Sequence, residues 1–143
     1  MKQVSQPRRR KVPISAATIA GLSALLLLPN VAILRLAQFF DVRLIAGYLT
    51  LISLLTYLVY RHDKKRAEAG GWRTPESTLH MLELLGDWPA AFLAQRTFRH
   101  KTSKTAYQVT FWIIILFHEF VSFDFLQDWK SSKAVLSLFT DAH

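Results

Sequence analysis

From Ile14 to Leu34 the chain runs for 21 residues without a charge, and this run limits the fold more than any other feature. As a helix at about 1.5 Å per residue it is roughly 31 Å long, which matches the hydrocarbon core of a bilayer. In that setting only a helix or a closed barrel satisfies its own backbone. A second uncharged run of 17 residues, Leu44 to Tyr60, is flanked by Arg43 and Arg61, whose long side chains can reach toward headgroups. A third, the 22 residues from Thr105 to Leu126, is interrupted only by His118, Glu119 and Asp124. The pattern predicts an all-α integral membrane protein with three transmembrane helices at about 14–34, 44–60 and 105–126. The basic group Arg8, Arg9, Arg10 and Lys11 before an apolar run also suits a secretory leader, but the run is too long and no small-x-small cleavage site follows it. It is read as an uncleaved anchor.

The stretch 79–97 is apolar on average yet carries His80, Glu83 and Asp87, then Pro89. Crossing the bilayer would place those polar side chains in lipid at about 2.5–3.5 kcal/mol for each charge. The expectation is a helical hairpin over about 75–97, re-entrant or interfacial, that enters and leaves by one face. The distribution of basic residues agrees. Fourteen of the 18 fall in three groups: Lys2 to Lys11, Arg61 to Arg73, and Arg96, Arg99, Lys101 and Lys104. All three lie on one side only if the hairpin does not cross, and the positive-inside rule makes that side the cytoplasm. Residues 1–13 then form a basic cytoplasmic N-terminus, 14–126 the membrane domain and 127–143 an external tail. Phe39, Phe40 and Trp129 are expected at the outer edge, and Tyr57, Tyr60 and Tyr107 at the inner edge.

Ala16, Ala20 and Ala24, with Ala17 and Gly21 beside them, form a small-residue face that admits close approach of another helix. Packing within the chain is the simpler use of it, and a homodimer or a membrane-protein partner the alternative. Thr74 and Pro75 read as N-cap and first residue of a helix ending near Leu85, with Gly86, Asp87, Trp88 and Pro89 as a turn in which Asp87 caps the next helix. At 100° per residue Glu76, His80, Glu83 and Asp87 fall within about 60° of arc. This stripe is expected to be the wet face of the helix or to pair with nearby Arg and Lys. Its alternative use is as a metal or proton site formed by Glu76, His80, Glu83 and His100. Arg96, Arg99, Lys101 and Lys104 are expected to contact anionic lipid headgroups or a partner. Basic clusters also bind phosphate backbones, but no stacking platform accompanies this one, so nucleic acid is an unfavoured partner. His118 and Glu119 lie either inside the third span or, if it ends early, near external headgroups.

With no Cys, thiol catalysis, disulfides and Cys-ligated zinc are excluded. There is no Gly-rich phosphate loop, no Gly-x-Ser-x-Gly and no His-Glu-x-x-His. The reading is therefore a non-enzymatic binding or structural membrane component without a cofactor. The alternatives are metal or proton handling through Glu76, His80 and Glu83, or membrane-tethered nucleic-acid binding.

The segment Tyr57 to Trp112 carries Asp63-Lys64, Arg73-Thr74-Pro75-Glu76, Leu79-His80, Leu84-Leu85-Gly86, Trp88-Pro89, Gln95, His100-Lys101, Lys104 and Phe111-Trp112. In these marks it closely resembles the small bacterial membrane proteins grouped as domain of unknown function 1294. The resemblance implies hydrophobic spans on both sides of the segment and supplies no reaction. Where many members read Gly-Gly-Trp-Pro-Gly, this chain has Asp87 and Ala90. Many members also carry an N-terminal cold-shock domain, which is expected to be absent here, because only 13 residues precede the first span.

Overall fold

The computed structural model describes residues 14–72 and 74–140; the basic N-terminal group Lys2 to Lys11, and Arg73, lie outside the described residues. Every regular element among them is helical. Helix α1 is Ala16–Leu36, α2 Val42–Glu68, α3 Glu76–Leu82, α4 Trp88–Phe98, α5 Thr105–Leu126 and α6 Lys130–Thr140. Three of them, α1, α2 and α5, are long and apolar enough to cross a membrane. Their outward sides carry Leu27, Leu34, Leu51, Leu54, Ile113, Leu116 and Phe120, all exposed. So much contiguous apolar surface belongs against lipid rather than water.

The helix starts follow local chemistry. Ser15 caps α1 by accepting from the Thr18 N–H at 3.1 Å, and Asp41 caps α2 by accepting from the Arg43 N–H at 2.8 Å. Thr74 is not the cap expected for α3. Its N–H donates instead to Asp63 Oδ1 at 2.6 Å, Pro75 takes the cap position, and the helix begins at Glu76. Helix α2 continues past Tyr60 to Glu68, with Asp63 buried against the segment that follows and Arg61, Lys65 and Arg66 exposed.

α1 packs along α5, and the α3–α4 hairpin lies between that pair and α2, with α4 running along α2. The core holds Tyr60, Leu79, Trp88, Ala91, Phe92, Tyr107, Phe111 and Ile115, with Leu22 of α1 against them. The small face of α1 is not used for this packing. Ala16, Ala17, Ala20, Gly21 and Ala24 are all exposed, and nothing lies within 4 Å of the position a Cβ on Gly21 would take. α1 meets its neighbours through Leu22, Leu25 and Leu26 instead. Packing within the chain is therefore not the use of that face.

The hairpin turns at Glu83–Asp87, where Gly86 has φ 98° and ψ 3°. A left-handed residue here reverses the chain and lets Pro89 enter at the start of α4, where its missing N–H costs nothing. The turn lies beside the middle of α2: Tyr48 Oη donates to the Leu85 carbonyl at 2.6 Å and Ser53 Oγ to Asp87 Oδ1 at 2.7 Å. Asp87 was expected to cap α4, but its side chain makes no cap bond, because it is turned to α2.

At the far end of the bundle Arg35 closes α5. Its Nη1 donates to the carbonyls of Phe125 (3.0 Å) and Leu126 (2.7 Å), while Nη2 pairs with Asp128. These carbonyls would otherwise be orphans of the helix end. Asp124, fully buried, then caps α6: Oδ1 accepts from the Ser131 N–H at 2.8 Å, and Oδ2 from the Ser132 N–H at 3.2 Å and its hydroxyl at 2.5 Å. The polar interruption at Asp124 is thus a junction between two helices, and the tail contains a helix that its short apolar pattern did not announce.

Replacing Gly86 with Ala meets no steric neighbour, since nothing lies within 4 Å of the added Cβ. Its cost is conformational, about 1–2 kcal/mol. Thermal unfolding of purified protein in detergent should show a lower midpoint for Gly86→Ala and a slightly higher one for Gly47→Ala, which is open and inside a helix, where Ala is favoured over Gly.

A buried polar clamp as the candidate functional site

The stripe formed by Glu76, His80, Glu83 and Asp87 does share one side of the hairpin, but that side is not wet. Glu83 is 0 % and Asp87 3 % exposed, while Met81, Leu84 and Leu85, on the other side, are 49–61 % exposed. Glu83 and Asp87 face the interior beside the buried Leu79 and Leu82, while Met81, Leu84 and Leu85 face out, an arrangement that suits apolar surroundings.

Glu83 is the centre. Its Oε1 accepts from Tyr60 Oη at 2.5 Å and Tyr107 Oη at 2.7 Å, and the two hydroxyls touch each other. His80 Nδ1 donates to Oε2 at 2.6 Å, and its ring stacks on Tyr107 with centroids 4.2 Å apart. Gln95 Nε2 donates to Tyr60 Oη at 3.3 Å, and Gln108 Nε2 donates to Gln95 Oε1 at 2.7 Å and to the Lys101 carbonyl at 3.1 Å. One carboxylate thereby ties the hairpin turn to α2, α4 and α5. Bonds to an ionised acceptor are about twice as strong as neutral ones, and in a low-dielectric interior an unpartnered carboxylate is costly. Tyr60 and Tyr107, expected as interfacial anchors, are instead buried to 0 % and 1 %.

Two further pairs close the base of the hairpin. His100 Nε2 meets Asp63 Oδ2 at 2.5 Å, with Asp63 Oδ1 already holding the Thr74 N–H. Glu76 accepts from Lys101 Nζ at 2.7 Å and from Lys104 Nζ at 2.8 Å on both oxygens. Those two ammonium groups, Lys101 first, hold the Glu76 carboxyl down at about 2, well below its ordinary 4.5.

The expected metal quartet is thus divided. Glu76 goes to the two lysines, His80 to Glu83 and His100 to Asp63, and among the described residues no group of three or more His, Asp or Glu is arranged to hold a metal ion. The expected headgroup cluster is divided too. Lys101 and Lys104 are engaged by Glu76, and the Arg96 guanidinium lies 3.3 Å over the Phe92 ring and donates to its carbonyl, while Arg99 and Lys104 are exposed. Sequence reasoning missed Tyr60, Tyr107, Asp63 and Gln108 as partners. Polar residues set at matching depths in the neighbouring apolar segments were the available signal.

Tyr60→Phe and Tyr107→Phe should each destabilise the protein by about 1.5–3 kcal/mol, the worth of a hydrogen bond to a charged group. Because both hydroxyls serve one oxygen, the double variant should cost less or more than the two added together, a departure that a double-mutant cycle by denaturant titration in detergent measures directly.

Residues 53–107 match the family described as "Protein of unknown function (DUF1294)", and every residue of the clamp and of the hairpin base except Gln108 lies within that range. Among curated proteins, "Uncharacterized protein YsdA" of Bacillus subtilis (strain 168) is 34% identical over 65 residues, which are 46% of this chain and 73% of the relative. No solved structure matches the chain significantly. With Glu83 and its three donors inside the matched segment, the chain belongs to the DUF1294 family.

Proposed function

We propose that the protein is a non-enzymatic component of the bacterial inner membrane whose α3–α4 hairpin is re-entrant, entering from the cytoplasmic face and turning within the bilayer to build a binding site. The observation that carries this reading is the position of the turn. Along α2 the base of the hairpin is bonded at Asp63, Glu83 at Tyr60, Asp87 at Ser53 and the Leu85 carbonyl at Tyr48. Asp63 to Ser53 is ten residues, about 15 Å of helix, or half a bilayer. α4 then retraces that distance, with Gln95 back at Tyr60 and His100 back at Asp63.

A binding or structural role is favoured because the ionisable groups of the clamp are consumed by each other. Both oxygens of Glu83 are occupied, and both His80 and His100 bond a carboxylate, so the network acts as a lock on the hairpin. Orientation follows from charge. Arg61, Lys65, Arg66 and Arg99 are exposed at the end of the bundle where the hairpin begins and ends, and the positive-inside rule assigns that end to the cytoplasm. There they face anionic headgroups, each worth about 1 kcal/mol near the surface. A nucleic-acid role loses its best candidates, since Lys101 and Lys104 already serve Glu76.

Reporter fusions test the arrangement. Alkaline phosphatase joined after Lys104 should be inactive and joined after Trp129 active. Activity after Lys104 would mean that the hairpin crosses the membrane, and the re-entrant reading would fall.

A further inference from the structure

Among the helices of the bundle only α6, Lys130–Thr140, buries none of its residues. Its large apolar side chains are nevertheless gathered on one side. At about 100° per residue Leu138, Val135, Phe139 and Leu136 fall within about 160° of arc, with Lys130, Lys133 and Ser137 opposite. Ser131 and Ser132 share the apolar arc, but they belong to the first turn and are bonded to Asp124. The four apolar residues are 56–73 % exposed, so no other described part of the chain covers them.

The level of α6 is set by the helix before it. α5 has 22 residues, about 33 Å, which matches the hydrocarbon thickness and puts its C-terminal end at the bilayer boundary. There the chain turns. Asp128 and Trp129 are both left-handed, at φ 58° and 61°, a conformation that ends a helix instead of extending it. The turn is held by the Trp129 N–H on the Asp124 carbonyl at 2.8 Å, by Arg35 on Asp128 and by the Asp124 carboxylate on the Ser131 N–H. α6 is thereby fixed where the span ends and does not hang from it on a loose tether. Trp129, 43 % exposed at this junction, is a residue type that favours the same level.

Of the surfaces within reach of the apolar side, the bilayer fits best. At 11 residues and about 16 Å the helix is too short to cross the membrane itself. Pairing with a second copy through this face alone offers a footprint of roughly 160 Å², against about 800 Å² a side for a stable protein interface. The acyl boundary, by contrast, adjoins the end of α5. The polar side of α6 carries two lysines and no acid, and among the described residues neither Lys130 nor Lys133 forms an ion pair. Ammonium groups on long stems suit headgroup phosphates, and cations above an apolar face are the make-up of a helix lying in the membrane plane.

We propose that α6 lies flat in the bilayer interface, with its Val135 and Phe139 side about 5–10 Å into the boundary between headgroups and acyl chains and both lysines on lipid phosphate. It anchors the end of α5 against sliding along the membrane normal. The assignment rests on α5 crossing the membrane, and neither on the depth of the hairpin nor on which face is cytoplasmic.

The test uses the full chain, which has no cysteine, in nanodiscs whose lipids carry a nitroxide either near the headgroup or near the tail end of an acyl chain. Val135→Cys and Phe139→Cys on the apolar side, Ala134→Cys and Ser137→Cys on the polar side, and Leu116→Cys in the middle of α5 each take an NBD fluorophore. The shallow nitroxide should quench the labels at Val135 and Phe139 several-fold more than those at Ala134 and Ser137, and aqueous iodide should show the reverse order. The deep nitroxide should quench the label at Leu116. Equal iodide quenching at all four α6 positions overturns the proposal: with Leu116 still quenched by lipid the span stands and only the anchor falls, and without that signal both fall. Protection of Val135 and Phe139 from lipid nitroxide and iodide alike puts a protein surface on the face, a second copy first, and overturns the proposal as well.

Discussion

The fold depends on a single carboxylate that cannot be left alone. Glu83 sits at the start of the hairpin turn with no exposed surface, so no water solvates it and its partners must come from the chain. Its three donors come from three different elements, Tyr60 from α2, Tyr107 from α5 and His80 from α3, and Gln95 of α4 buttresses the first. Meeting that one demand fixes the depth of the hairpin, its rotation and the approach of both long helices at once. Packing alone would not set these so sharply, because apolar side chains slide past lipid and each other at nearly equal cost.

The same logic runs to the two ends of the bundle. Asp63 with His100 and Glu76 with its two lysines close the hairpin where it begins and ends, and Arg35 with Asp124 closes the opposite end by satisfying helix termini. Between these polar locks the contacts are aromatic and aliphatic. Among the described residues this economy is incomplete at Asp87 Oδ2 with the neighbouring Thr56 Oγ1, and at Glu119 Oε1.

The three long helices and the existence of a hairpin were legible in the sequence because both rest on charge spacing, which local periodicity carries. The stripe of Glu76, His80, Glu83 and Asp87 was legible as a stripe, but its direction was not. Periodicity states which residues share a face and is silent on what that face meets, and the habit formed on water-soluble helices sends it outward. Tyr60 and Tyr107 misled for a related reason: an aromatic near a span end has two stable uses, at the interface or as a buried donor, and only the depth of Glu83 decides between them. The direction of the small face of α1 depended in the same way on its neighbours, as did the division of the basic cluster by Glu76. Helix α6 was missed because its start is set by Asp124, six residues upstream, rather than by a cap next to it.

The central claim is that the clamp holds the hairpin turn deep in the bilayer. The chain has no cysteine, so a single one introduced at Leu84, beside Glu83 and pointing outward, takes a spin label without background. Relative relaxation by oxygen and by a water-soluble nickel chelate in liposomes then reports depth. The account predicts a label near the bilayer centre at Leu84 and a shallow one at Ser77 on the first turn of α3. Headgroup-level depth at both positions would place the hairpin on the surface and contradict the account.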